Sequence, residues 1–338
     1  MSLEFKTLLI FLFIASNLLA DKNSTTMHPS YVDDLYKAIS SEVIYNSNTI
    51  DTTLSTLFNE QNDTNVNIDT DSYKKQSVDT FFQNKKFIDE TEKSFVRVRL
   101  EYDIYSLQTD KLRLQASAHL PLSNTQNNLN IFIDDVTQDN VNEIIPRKLD
   151  EEQTSPQIGL NYFAPKLFEI SSKYSVGTIG YYPFLRARYR TVFKTELWEI
   201  EPVQTFTYSS KSEFKEQTDI YFDKHISDSS LFRILFHRQT ISHVDGMDYG
   251  VTLKYFYSRK KLSGLNMSQS FSGNTEYEYN SRVYKGITSY TTSLSWRRSV
   301  WRKWFFYELQ PGVNFHKNYE YRANYALKIF LDFYFGEL

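Results

Sequence analysis

The chain has no cysteine, only ten glycines and eight prolines in 338 residues, and, past its first twenty positions, no apolar stretch long enough to cross a bilayer as a helix. Without cysteine there is neither a disulfide framework nor a lipid-modified cysteine anchor. Without a long apolar run, a helical membrane protein is excluded. Glycine-rich phosphate loops and nucleotide fingerprints are absent, so no cofactor is implied. Thirty-eight Lys and Arg against 41 Asp and Glu leave a net charge of −3, and nucleic acid is not an expected partner.

Aromatic residues are abundant: 25 Tyr and 26 Phe, in a chain whose mean hydropathy is nevertheless negative, −0.49. A transmembrane β-barrel reconciles the two, because half of each strand faces a wet interior while aromatic girdles ring both membrane interfaces. A soluble β-sandwich or barrel would use more Gly and Pro at turns and fewer large aromatics.

The residue order points the same way. Between 94 and 105, Val96, Val98, Leu100, Tyr102 and Ile104 alternate with Arg97, Arg99, Glu101 and Asp103, and between 111 and 120 Leu112, Leu114, Ala116, Ala118 and Leu120 alternate with Lys111, Arg113, Gln115, Ser117 and His119. Side chains on a strand point to opposite faces with period two, so each segment has one apolar and one charged face. Strands are expected near 94–105, 111–120, 128–135, 157–166, 173–181, 184–194, 196–208, 213–223, 230–239, 247–258, 263–272, 286–296, 304–314 and 322–335. That makes about fourteen, an even number as a closed barrel prefers; a single bent strand around Tyr181 to Phe184 would lower it toward twelve. Lipid offers no hydrogen bonds to a sheet edge, so closure is required at either count.

The first residues resemble export machinery rather than fold. One Lys lies in the flank Met1 to Lys6, Thr7 to Leu19 is nearly all apolar, and Ala20 precedes a polar stretch, the arrangement of a cleaved signal peptide over 1–20. Residues 21–93, rich in Asn, Asp, Ser and Thr, are expected to form a periplasmic N-terminal extension, partly helical or disordered. Tyr31 to Tyr45 could make a short amphipathic helix, with Leu35, Ile39 and Val43 on one stripe, and Val78 to Ile88 is a second, weaker candidate. Residues 94–338 form the barrel.

With both barrel ends periplasmic, the connection 314–321 is extracellular and 297–303 periplasmic. Trp296, Trp301 and Trp304, beside Arg297, Arg298, Arg302 and Lys303, are expected as an aromatic girdle at a basic turn. The longer loops 136–156 and 273–285 then lie outside. Asp134, Asp135, Asp139, Asp150, Glu151 and Glu152 make the first of these acidic: a solvated loop, or a site for divalent cations near lipopolysaccharide.

The run Trp304-Phe-Phe-Tyr-Glu-Leu-Gln-Pro-Gly312, the Asp79-Thr-Phe-Phe82 lead-in and the strand Arg97-Val-Arg-Leu-Glu-Tyr-Asp103 resemble motifs of a poorly characterised family of proteobacterial outer-membrane β-barrel proteins. The resemblance spans roughly residues 78 to 336 and implies fold and location, with no catalytic residues to carry over.

Chemistry is sparse. Arg186, Arg188 and Arg190 form a ladder on one face of their strand, and Glu199 and Glu201 take the charged face of the next. Together with Arg97, Arg99, Glu101 and Asp103 they are the expected lumen charges, tuning selectivity in a pore or cross-linking a closed wall. Six histidines, His28, His119, His225, His237, His243 and His316, show no metal-ligand or nucleophile spacing, although His119 and His237 share polar faces with Arg113 and Arg233. Asp21-Lys-Asn23-Ser-Thr25 and Glu60-Gln-Asn62-Asp-Thr64 fit an acidic N-glycosylation sequon at Asn23 and Asn62.

The sequence therefore reads as a non-enzymatic Gram-negative outer-membrane barrel, a narrow passive pore for ions or small solutes. Its expected partners are outer-membrane lipids, lipopolysaccharide and, during biogenesis, the barrel-assembly machinery. A non-conducting structural barrel is the alternative, and an outer-membrane lipid hydrolase a distant one.

Overall fold

A computed structural model describes residues 31–58, 94–122, 129–135, 156–260, 263–279, 282–284, 286–299 and 302–336. The described residues form one long helix, α1 (Tyr31–Phe58), and seventeen strands. These are β1 (Phe95–Tyr105), β2 (Lys111–Leu122), β3 (Leu129–Asp135), β4 (Pro156–Leu167), β5 (Ile170–Ile179), β6 (Tyr182–Arg190), β7 (Phe193–Lys194), β8 (Glu199–Ser209) and β9 (Glu213–Ser227). The remainder are β10 (Ser230–Ile241), β11 (Val244–Lys260), β12 (Ser263–Asn274), β13 (Tyr277–Tyr279), β14 (Arg282–Tyr284), β15 (Ile287–Ser299), β16 (Phe305–His316) and β17 (Ala323–Gly336).

Fourteen of the strands close an antiparallel barrel, each paired with its neighbour in sequence apart from the short β7, β13 and β14. The ring is sealed twice. The first and last strands pair from Phe95↔Gly336 to Tyr105↔Ala326, and β6 pairs with β8 from Phe184↔Ser209 to Arg190↔Val203. Below Val203 the edge of β8 is taken over by β7. Closure gives each of the fourteen barrel strands a partner on both sides, as a wall in contact with lipid must have.

Alternation sets the two faces. On β17, Tyr325, Leu327, Ile329, Leu331, Phe333 and Phe335 point outward, and their partners Leu100, Tyr102 and Ile104 on β1 share that face. Across the barrel the buried set is mostly polar, including Glu101, Gln115, Asn161, Asp219, Arg233, Thr252 and Asp332, whereas Leu112, Leu185, Met267, Leu294 and Tyr325 are exposed on the outside. This is a soluble protein's pattern inverted, and it fits a wall with hydrocarbon outside and water within.

One inward row is apolar. Phe132, Gly159, Gly177 and Phe184 stand side by side on β3 to β6, and the two rings lie 6.5 Å apart. A Cβ on Gly159 would come 2.9 Å from the Phe132 ring, and one on Gly177 would come 2.1 Å from the Ile158 carbonyl. The glycines let the β4 and β5 backbones approach closely, since a Cβ on either would meet a carbonyl of the other strand, and at Gly159 the Phe132 ring also takes the side-chain space.

All fourteen expected segments coincide with barrel strands, and the chain reverses at Gly180 and Tyr181, where Gly180 has φ 60°. Three details differ. The strand expected over 184–194 stops at Arg190, and 191–198 makes an excursion pinned by Thr195, whose hydroxyl bonds both the carbonyl and the N–H of Trp198. The loop 273–285 contains the β13–β14 hairpin. Finally, α1 continues past Tyr45 to Phe58.

The helix sits at the rim carrying both barrel termini. Arg302 makes a bidentate pair with Asp33, at 2.7 Å for each contact, and Tyr36 stacks on Trp304 at 4.8 Å and 7°. Ser40 Oγ accepts from the Gly336 N–H at 3.2 Å, and the Ser47 and Ser94 hydroxyls are 3.0 Å apart. Hydrogen bonding to the Asp33 carboxylate lifts the Arg302 guanidinium further above its already high range. The barrel-facing stripe mixes these polar groups with the half-buried Leu35, Ile39 and Val43.

The girdle expectation is corrected in part. Trp296 is on the outside of β15 and 38% exposed, whereas Trp304 is 7% exposed because α1 covers it. Arg297, read as part of a basic turn, belongs to β15 and points inward, 1% exposed. Trp301, Asn23, Asn62, His28, Asp79 to Phe82, the helix at 78–88, the signal segment and most of the acidic loop lie outside the described residues.

Candidate functional site, the charged interior

The register brings the charged faces together inside the ring. Arg97, Arg99, Glu101 and Asp103 on β1 face Tyr334, Asp332, Phe330 and Lys328 on one side and Ser117, Gln115, Arg113 and Lys111 on the other. Arg186, Arg188 and Arg190 on β6 face Ser175, Lys173 and Ser171 on β5 and Thr207, Thr205 and Val203 on β8. Glu199 and Glu201 share this inward face, opposite Asp223 and Tyr221. All nine residues thus line the interior.

Two ion networks dominate one wall. Arg99 is bidentate to Asp332, at 2.6 and 2.8 Å. Arg297 reaches the same carboxylate and also Glu308 at 3.1 Å, and it donates to the Tyr334 hydroxyl at 2.9 Å. The Phe306 ring lies 4.8 Å from its guanidinium carbon. Next to this, Arg113 bonds both Glu101 and Asp103, and Gln115 donates to Glu101 at 3.1 Å. On the facing wall, Arg233 is bidentate to Asp223 at 2.6 and 2.7 Å, and Arg190 approaches Glu201 at 3.6 Å.

The two signs differ in depth in most, though not all, cases. Asp103, Asp332 and Glu201 are almost fully buried against the wall, as are the cations Arg233, Lys254 and Arg297, whereas Arg97, Arg99, Arg113, Arg186, Arg188 and Arg190 keep part of their surface accessible, as do the acids Glu199 and Glu308. Side-chain length explains this: carboxylates stop close to the backbone, and guanidinium groups reach over them toward the axis. Among the part-exposed inward charges named here the basic ones are the more numerous, although the chain's net charge is slightly negative.

Uncharged ladders fill the remaining rows. Asn161 donates to Asn130 at 2.8 Å and accepts from Ser175 at 2.6 Å, and Arg186 donates to Gln157 at 3.0 Å. No group of three or more potential metal ligands occurs among the described residues.

The histidines divide by environment. His237 Nδ1 is 2.6 Å from Asp219 Oδ1, which also accepts from Gln217 at the other oxygen, and Nε2 has no partner among the described residues. Gly250 separates His237 from Ser272 in the same inward row, and no serine hydroxyl bonds the imidazole among those residues. This is a buried histidine in hydrogen-bond contact with a carboxylate and without a nucleophile in contact among the described residues. His243 pairs with Glu213 at 2.9 Å in an exposed turn, and His316 caps the short 3-10 turn Lys317–Tyr319 by accepting from the Asn318 N–H.

Sequence reasoning missed Asp332, Glu308, Asp219 and Asp223 as partners: Asp332 lies 233 residues from Arg99, and the other three, although 11, 18 and 10 residues from Arg297, His237 and Arg233, are paired only by the register of neighbouring strands. Period-two counting gives the face of each residue but not the register between strands.

No family model matches the chain, and no curated protein does. The resemblance to a family carried by residues 304–312 and 97–103 thus gains nothing from these comparisons. Among solved structures the chain is similar to the KdgM porin in complex with disordered oligogalacturonate, with 8% identity, 70% of this chain and 98% of that one covered, and a TM-score of 0.34. It is also similar to a loop-deletion mutant of OmpT, an outer membrane protein of Vibrio cholerae (8%, 72% and 98% covered, TM-score 0.45). A third is the outer membrane channel DcaP of Acinetobacter baumannii (11%, 72% and 96%, 0.41). The architecture rests on the chain's own strand pairing rather than on these distant likenesses.

Proposed function

We propose that the protein is a narrow passive pore of a Gram-negative outer membrane, exported through a cleaved signal peptide, with an interior that favours small anions. The observation that carries this reading is the depth ordering of charge. Most inward carboxylates are buried in the wall, while six of the inward arginines, Arg97, Arg99, Arg113, Arg186, Arg188 and Arg190, keep accessible surface, so the accessible lining leans basic. Rings of Arg and Lys of this kind select anions in other pores. The apolar outer face supports insertion in a bilayer, and α1, held at the terminal rim by Arg302–Asp33 and the Tyr36–Trp304 stack, narrows the periplasmic mouth.

A non-conducting structural barrel is the second reading. It is favoured by the close packing of one wall, where Arg233, His237, Gln239, Thr252 and Lys254 are all buried. Single-channel recording of the folded protein in a planar bilayer separates the two. Discrete steps are expected from the pore, and a silent bilayer containing demonstrably inserted protein would establish the structural barrel instead.

A further inference from the structure

We propose that α1 is the clasp of the barrel seam, holding the first and last strands together at the rim where both end. The inference concerns how the wall stays closed, and it holds whether or not the barrel conducts. Every other neighbouring pair in the ring is joined by one connection, whereas β1 and β17 are the two ends of the sheet-forming chain. Their paired residues lie more than two hundred positions apart, as Arg99 and Asp332 do. Closing so long a loop costs more entropy than closing a hairpin, and no turn holds the last rung, Phe95↔Gly336, in place. Terminal rungs of this kind are the first to open.

The two ends of the seam are secured differently. At the far end the strands tie themselves together. The Tyr325 N–H donates to Ser106 Oγ at 2.8 Å, the Ser106 N–H donates to the Tyr325 carbonyl at 2.9 Å, and the Leu107 N–H donates to the Asn324 side chain at 3.0 Å. At the terminal rim the ties come from α1. Ser40 Oγ takes the Gly336 N–H at the end of β17, and Ser47 Oγ meets Ser94 Oγ one residue before β1. Tyr36 stacks on Phe335 at 6.0 Å as well as on Trp304. The helix thus packs against β17 on one side of the seam and against β1 and β2 on the other.

The sequence of α1 suits this contact. Asp33, Tyr36, Ser40 and Ser47 are spaced by three, four and seven residues, which places them on one helical face. Serine is an indifferent helix former, and burying its hydroxyl is unfavourable unless it is bonded. Ser40 and Ser47 are nevertheless only 8% and 3% exposed, and the groups that satisfy them belong to opposite sides of the seam. One rigid helix carrying both bonds, about two turns apart, fixes the two strand ends relative to each other as a turn would. Gly336 completes the fit. Its φ is 104°, and a Cβ there would stand 2.4 Å from the Ser94 carbonyl, so the end of β17 lies directly against the lead into β1.

Hydrogen exchange of the folded full chain in detergent micelles, read by mass spectrometry, tests the clasp. Tyr36→Ala, Ser40→Ala and Ser47→Ala combined should raise exchange in peptides 95–99 and 332–336 by about tenfold or more, the scale of losing one or two net hydrogen bonds. Peptides 234–238 and 250–254, on β10 and β11, should exchange as in the wild type. Unchanged seam exchange, or an equal rise in all four peptides, overturns the proposal.

A second variant removes no packing. Because the chain has no cysteine, Ser47→Cys with Ser94→Cys supplies a single thiol pair, and hydroxyls 3.0 Å apart place it within disulfide reach. Oxidation should slow exchange at 95–99 below the wild-type rate, and reduction should restore it. A pair that does not oxidise, or a disulfide that leaves the seam rate unchanged, also overturns the proposal.

Discussion

Asp332 serves two guanidinium groups at once, and removing it should be the most damaging single change to the interior wall. Its carboxylate is 1% exposed, bidentate to Arg99 and in contact with Arg297, itself 1% exposed. Deleting one partner of a buried pair leaves an uncompensated charge, at a cost of about 3 to 5 kcal/mol. Arg297 retains Glu308 and the Tyr334 hydroxyl, so Asp332→Ala is expected near ~3 kcal/mol, the lower end of that range. Glu213→Ala is the control, since its pair with His243 is more than half exposed on both sides; such pairs are worth about 0 to 1 kcal/mol. Urea titration in lipid vesicles, with folded fraction read from heat-modifiable gel migration, gives both numbers. An Asp332→Ala loss below about 1 kcal/mol, or one equal to that of Glu213→Ala, would refute the reasoning that this network is desolvated.

Other consequences follow from particular contacts. Asp33→Ala should release α1 from Arg302, so that proteolysis within 31–58 accelerates while the barrel stays folded, and added salt should speed cleavage of the wild type as the partly exposed pair is screened; unchanged cleavage in both experiments would mean that the pair does not hold the helix. Gly177→Val should prevent folding or move Phe184, because its Cβ would collide with the Ile158 carbonyl, and wild-type refolding yields for this variant would contradict the close approach of β4 and β5.

Much of the architecture was legible because lipid and water impose the strictest alternation a sequence can carry. The faces of β1, β2 and β17 follow from counting by two, and closure follows from the cost of an edge. The features that escaped are those where local chemistry gives no period. Nothing in Thr191-Val-Phe-Lys194 breaks a strand, yet β6 ends at Arg190; the bonds from Thr195 to Trp198, three residues on, form a local turn that shapes the excursion and that period-two counting does not register. The Asn-Ser-Asn-Thr stretch after Tyr45 looks like a helix stop, since these side chains compete for backbone bonds. In the structure Thr49, Thr52 and Thr53 direct that competition to carbonyls one turn back, and the helix continues.

The candidate site divides similarly. Its arginines were visible as ladders at Arg97 and Arg99 and at Arg186, Arg188 and Arg190. Glu201, near Arg190, was visible beside its ladder, but the partner of Arg99 was not, because pairing it with Asp332 requires the register of β1 on β17, more than two hundred residues apart in sequence. Trp304 shows the converse. Its neighbours suggested a membrane interface, whereas Tyr36, from a helix far upstream, covers it.

The most direct test is the reversal potential of the inserted protein in a KCl gradient, with Arg186→Gln, Arg188→Gln and Arg190→Gln combined in a second preparation. The account predicts a wild-type potential displaced toward the chloride equilibrium and a clear shift toward the potassium equilibrium in the triple variant, with folding retained. A conducting wild type with cation preference, or a triple variant with an unchanged potential, would contradict a basic lining.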